Sequence, residues 1–178
     1  MVYLFGSHSE NDFLRISHIS RRNLVANNFA NMLHGDGFRA GFSALVGEHR
    51  IIYVLHANED GSLVNQISAE QSSLVDWILV DSAKGGSLLA TSVERQRRIS
   101  FNLFDIITTR RPCFKLPNIR SKHGRLWAGG IKPENAGEAL SVLKPQGIDV
   151  SSGICGPDGI QKDQMRISSF MSAVRSVN

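Results

Sequence analysis

Cysteine is scarce in this chain, with Cys113 and Cys155 as its two examples in 178 residues. At most one bridge can form, which excludes a disulfide framework. The pair also has no metal-type spacing, so a reducing compartment is the default expectation. Long apolar runs are missing too. The segments VDWILVD and FNLFDII are short and broken by aspartate, well under the ~18 consecutive apolar residues of a membrane-spanning helix, and no membrane partner is expected. The opening MVYLFGSHSENDFL has neither a basic start followed by an apolar core nor the Arg/Ser-rich, acid-poor character of a transit peptide. What is present is 42% hydrophobic and 20% charged residues with 16 glycines, an ordinary globular composition. At this length the expectation is one domain with room for a sizeable core.

Charge is unevenly spread. The net +4 hides a window from Glu94 to Arg125 that carries nine basic residues against Glu94 and Asp105, while the remainder is slightly acidic. The basic character belongs to one segment and does not describe the whole surface. ERQRR and TTRRP within it would permit nucleic-acid contact electrostatically. No aromatic platform accompanies them, and charge runs are usually solvated surface, so no nucleic-acid partner is expected.

Four apolar, β-rich runs stand out: Arg50–Leu55, Val75–Val80, Arg125–Ala128 and Gly147–Val150. Their near-continuous apolarity is the mark of strands buried on both faces, as in a parallel sheet covered by helices. Ser68 is placed to N-cap a short helix between the first two. Between the last two, a helix is expected after Pro133, with Ala136, Ala139, Leu140 and Leu143 at helical spacing. Strand starts near 50 and 75, then near 125 and 147, give steps suited to βα units, and the double step between them leaves room for extra sequence. Further upstream, a short strand is expected at Val2–Phe5 and a helix around Glu10–Ile19.

Readable strands are followed by small, polar or acidic residues, and LHGDG at 33–37, DSAKGGS at 81–87, AGGIKP at 128–133 and SSGI at 151–154 are such segments. In α/β folds that carboxyl edge is where ligands bind. Gly129-Gly130 and Ser152-Gly153 form two glycine/serine loops one βα unit apart. Bare backbone N–H groups in such loops attract a phosphate, although either loop alone also suits a simple turn.

LHGDG, RIIYVLHANEDGS, VDWILVDSAKGGS, FKLP, AGGIKPEN and GIDVSSGICGPDGIQKD together resemble the plant form of phosphoribosylanthranilate isomerase, over Leu33–Ser87 and Phe114–Asn178. The resemblance implies an α/β fold of the (β/α)8 TIM-barrel type. It also implies an Amadori rearrangement of N-(5-phosphoribosyl)anthranilate to 1-(2-carboxyphenylamino)-1-deoxyribulose 5-phosphate in tryptophan biosynthesis, a small phosphorylated substrate, a chloroplast location, and neither cofactor nor metal. The chemistry needs an acid for the leaving ring oxygen and a base for the neighbouring carbon. Asp81 matches the family's general acid, and an aspartate closing an apolar strand is expected to hold its proton through desolvation. The other reading of Asp81 is a turn or cap residue. By the same comparison Gly129, Gly130, Ser152 and Gly153 fall on the phosphate loops. His34 falls at a strand end facing the pocket, with Met32 where the family usually has glutamine.

Two departures accompany the resemblance. The family's general base is a cysteine in Lys-Ile-Cys-Gly, and no such motif occurs in this chain. Cys155 belongs to the plant-type SSGIC string and is expected to be a packing residue. The chain reads as starting near the third strand of the barrel, with Val2–Phe5 a poor version of it. One partial barrel domain over residues 1–178 is therefore expected, with exposed sheet edges. Leu88–Cys113, which includes Cys113, matches nothing in the family and reads as an insert. Two functions remain open at this point: the isomerase itself, or a phosphate-binding barrel fragment that turns nothing over.

Overall fold

The structure, a computed structural model, describes residues 2–4, 14–16, 30–34, 42–58, 62–82 and 119–177. The expected insert at 88–113 lies outside them, as do Cys113, most of the arginine-rich window and the residues following Ser82 and His34.

Elements follow in the order β1 (Val2–Leu4), β2 (Leu14–Ile16), β3 (Ala30–His34), α1 (Phe42–Glu48), β4 (Arg50–Ala57), α2 (Ala69–Leu74), β5 (Trp77–Ser82), β6 (Arg125–Trp127), α3 (Ala136–Leu143), β7 (Gly147–Val150), a 3₁₀ turn (Ser152–Ile154) and α4 (Gln164–Arg175). One sheet runs β2-β1-β7-β6-β5-β4-β3. From β3 to β7 every neighbouring pair is parallel and follows chain order. A doubly wound sheet would reverse direction at a switch point. This one does not, which is the winding of a (β/α)8-type wall.

The apolar runs expected as strands form β4 to β7, and their lack of polar alternation has a plain cause. Ile51, Tyr53, Leu55 and Ala57 join a cluster with Ile78, Val80, Trp127, Ile148 and the helix residues Ala136, Ala139 and Phe170. Their neighbours Ile52 and Val54 turn the other way, into a second cluster with Leu79, Leu126 and Ala128. Both faces are therefore dry, and each fully buried Ile, Leu or Val contributes roughly 1.5–3 kcal/mol through removal from water.

Local signals place the helices. Ser68 caps α2 through a capping box, with Gln71 N donating to Ser68 Oγ at 3.1 Å and Ser68 N donating to Gln71 Oε1 at 3.4 Å. Buried Ala136 and Ala139 bring α3 against the sheet, with Leu140 and Leu143 at its margin. Lys144 in the left-handed conformation ends it.

The amino-terminal expectations need correcting. Within the helix expected around Glu10–Ile19, the described residues Leu14–Ile16 are strand β2. Val2–Leu4 is a strand, but it runs antiparallel to both β2 and β7 and is no parallel strand of the wall. Short apolar stretches do not separate helix from strand by period. Here the unpaired N–H and C=O groups on the free side of β7 offer three-residue strands a ladder.

Candidate functional site

The register of the central strands fixes the site. Val80 pairs with Trp127, and Trp127 with Ile148. The next residues, Asp81, Ala128 and Asp149, therefore stand in one row at the carboxyl edge, and Ala128 N donates to Val80 O at 2.8 Å to continue the ladder. Alternation gives this row the parity of Leu79 and Leu126 in the inner cluster. His56 extends it on the other side, in register with Asp81. Four neighbouring strand ends thus read His, Asp, Ala, Asp, with the small Ala128 between the two carboxyls.

Asp81 is partly exposed, and its Oδ1 accepts from Ser82 N at 2.7 Å. Asp149 is buried at 8% exposure, with its Oδ1 lacking any hydrogen-bond partner among the described residues. Burial pushes its carboxyl up to about 7, and the nearby Asp81 carboxylate adds to the rise. The Lys162 ammonium and the Val150 backbone N–H act in the opposite direction. A buried carboxyl with an orphan oxygen beside a second carboxyl is a proton-holding arrangement near neutral pH.

The two glycine loops meet beside this row. Gly129 and Gly130 both have positive φ, 85° and 78°, which a side chain would resist. A Cβ on Gly129 would stand 3.2 Å from Asp81 Oδ1, so the β6 loop runs directly against that carboxylate. Asn135 holds the loop's shape, accepting from Lys132 N at 2.8 Å and donating to Gly130 O at 3.0 Å. Across from it, a Cβ on Gly153 would strike the Ile131 carbonyl oxygen and lie 3.0 Å from Lys132 Cα. The Ser152-Gly153 turn after β7 is therefore in backbone contact with the AGGIK loop after β6. Sequence reading names the two loops separately; the structure joins them.

Behind the β7 loop, Cys155 is buried, and its Sγ donates to Ser151 O at 3.5 Å. Lys162 Nζ donates to Ser151 O at 2.7 Å and reaches Cys155 Sγ at 3.3 Å. Among the other sequence candidates, His34 ends β3 opposite Val54 and its side chain lies outside the described residues. Met32 packs against the inner cluster. Among the described residues no group of three or more His, Cys, Asp or Glu is gathered to hold a metal ion, and no helix is long and apolar enough to cross a membrane.

Sequence reading passes over Asp149 and His56. Each is embedded in a strand-forming run, and only the cross-strand register reveals that both share a row with Asp81. A strand-end aspartate inside Gly-Ile-Asp-Val was the available signal.

Comparison with known proteins gives one family. Residues 115–173 match the model of N-(5'phosphoribosyl)anthranilate (PRA) isomerase. Two chloroplastic N-(5'-phosphoribosyl)anthranilate isomerases of Arabidopsis thaliana, numbers 1 and 2, are 51% and 50% identical to this chain over 177 residues, covering 99% of it and 56% of each relative. The chain thus spans about half the length of these relatives. A solved phosphoribosyl anthranilate isomerase from Thermotoga maritima superposes with a TM-score of 0.48 at 22% identity, covering 83% of this chain and 62% of that one.

Proposed function

The chain belongs to the phosphoribosylanthranilate isomerase family, and from that premise we propose that it isomerises N-(5-phosphoribosyl)anthranilate at the carboxyl edge of β5, β6 and β7. The observation that carries this reading is the row of Asp81 and Asp149 set against two glycine loops in mutual contact. The loops cradle the 5-phosphate through the backbone N–H groups of Gly129, Gly130, Ser152 and Gly153, and the row then meets the sugar.

Asp81, supplied with the proton that Asp149 holds near neutral pH, gives it to the furanose ring oxygen as the bond from that oxygen to C1 breaks, and the nitrogen lone pair forms the C1–N double bond of a Schiff base. The Asp81 carboxylate left by that transfer takes the proton from C2, giving an enol amine, and C1 gains a proton as the enol amine collapses to the ketone. Asp149 keeps a proton near neutral pH chiefly because burial disfavours its charged form, and the Asp81 carboxylate adds to the rise. His34 stands at the far strand of the same edge. We read residues 1–178 as a single partial barrel domain with 88–113 as an insert. The relatives' chloroplastic designation supports a chloroplast location.

The experiment is turnover of N-(5-phosphoribosyl)anthranilate by the purified chain beside Asp81→Asn. Product from the parent and none from the variant supports the reading. A folded chain that binds the phosphorylated product and converts nothing would instead be a phosphate-binding relative of the enzyme.

A further inference from the structure

Arg166 lies in the first turn of α4, outside the catalytic row and both glycine loops, yet it touches both loop systems. Its Nε donates to Gly153 O at 3.0 Å. Its Nη2 reaches Glu134, at 3.2 Å from Oε1 and 3.3 Å from Oε2, and Glu134 sits in the turn between the β6 loop and α3. One planar guanidinium thus spans the gap between the two halves of the phosphate cradle, a task a fixed fork of donors performs and a point-charge ammonium does not. Asp163 steadies the helix end that carries it, accepting from Arg166 N at 2.8 Å.

We infer that Arg166 is a positioning residue that holds the phosphate cradle in its binding shape, by fixing the Gly153 carbonyl and neutralising Glu134 beside the anion. The inference rests on the proposed phosphate site. A carbonyl fixed by Arg166 orients the peptide plane that follows Gly153, and with it the 3₁₀ turn whose first N–H groups have no partner inside the turn. Glu134 is more than half exposed. Without its cation it would present a negative charge to an incoming phosphate, an effect that salt weakens. The stability of the fold draws little from this ion pair, since exposed pairs are weakly coupled. Arg166 therefore separates from a merely structural residue by its ligand selectivity.

The test uses the full chain and two fluorescent ligands, reduced 1-(o-carboxyphenylamino)-1-deoxyribulose 5-phosphate and its dephosphorylated counterpart, with inorganic phosphate as competitor. Arg166→Gln is expected to weaken the phosphorylated ligand about tenfold, as loss of one charge-assisted hydrogen bond implies, and to weaken phosphate competition in parallel. Affinity for the dephosphorylated ligand and the Tm stay close to the parent's. Arg166→Lys is expected to recover part of the loss, and Glu134→Gln in the Arg166→Gln background to recover the salt-dependent part. Unchanged affinity for the phosphorylated ligand in Arg166→Gln, or an equal fall for both ligands, overturns the inference while leaving the phosphate site standing. A parent chain that binds neither the phosphorylated ligand nor phosphate overturns the site and the inference together.

Discussion

Asp81 and Asp149 lie in the same row of the sheet, two strands apart, with only Ala128 between them. Their closeness is felt electrostatically, since the Asp81 carboxylate helps hold the Asp149 carboxyl at about 7. The two residues are 68 positions apart in the chain, and sequence spacing alone gives no hint that they meet.

That relationship sets a pH dependence. The folded value of about 7 for Asp149 lies above its ordinary 3.8, so the native state favours the protonated form. The resulting stabilisation is complete below about pH 4 and is lost as pH rises through 7. Asp149→Asn removes this loss. The variant should match the parent near pH 4 and exceed it at pH 8 by an amount on the order of a few kcal/mol. Urea denaturation at both pH values checks this, and equal differences at both would contradict it.

Gly153→Ala should damage the cradle specifically. The added methyl would strike the Ile131 carbonyl oxygen, which is backbone and cannot swing aside. Forcing the two loops apart should cost about 1–3 kcal/mol of stability and weaken the phosphorylated ligand by roughly tenfold. Thermal unfolding and ligand titration measure the two effects, and an unchanged affinity would mean that contact between the loops is not needed for binding.

Asn65 anchors the end of β4, from which His56 projects into the row. Its Oδ1 accepts from His56 N at 2.8 Å and its Nδ2 donates to Val54 O at 2.7 Å, with the amide buried. Asn65→Ala leaves both backbone groups unsatisfied and should cost about 2–4 kcal/mol. Asn65→Asp, which keeps the acceptor but loses the donor, should also destabilise, as chemical denaturation would show. A change under about 0.5 kcal/mol for Asn65→Ala would mean that solvent replaces the amide at little cost.

Much of the wall was legible in the chain. The runs at Arg50–Leu55, Val75–Val80, Arg125–Ala128 and Gly147–Val150 became β4 to β7 because a strand buried on both faces leaves an uninterrupted apolar string. Ser68 and Pro133 marked helix starts because caps and early prolines act locally. The strand expected at Val2–Phe5 formed, but its place in the wall and the helix around Glu10–Ile19 were misjudged, because short segments such as Val2–Leu4 take their structure from a distant edge, here β7. At the site, Asp81 and the two glycine loops were visible as strand-end motifs. Asp149 was hidden because a polar residue inside a buried strand shows its partner only through cross-strand register. Arg166 was hidden because a guanidinium's reach is a matter of three-dimensional distance, 13 and 32 residues from its partners in sequence.

Turnover of N-(5-phosphoribosyl)anthranilate, followed as loss of substrate fluorescence with product identified by chromatography, tests the central claim most directly when parent and Asp81→Asn are measured side by side at neutral pH. The account predicts conversion to 1-(2-carboxyphenylamino)-1-deoxyribulose 5-phosphate by the parent. In the variant it predicts a fall of about 10²–10⁴-fold, the contribution of a positioned acid, with product affinity kept within about threefold because an uncharged isostere fills the same space. Equal turnover by the two proteins, or none from a folded parent that binds product, would contradict it.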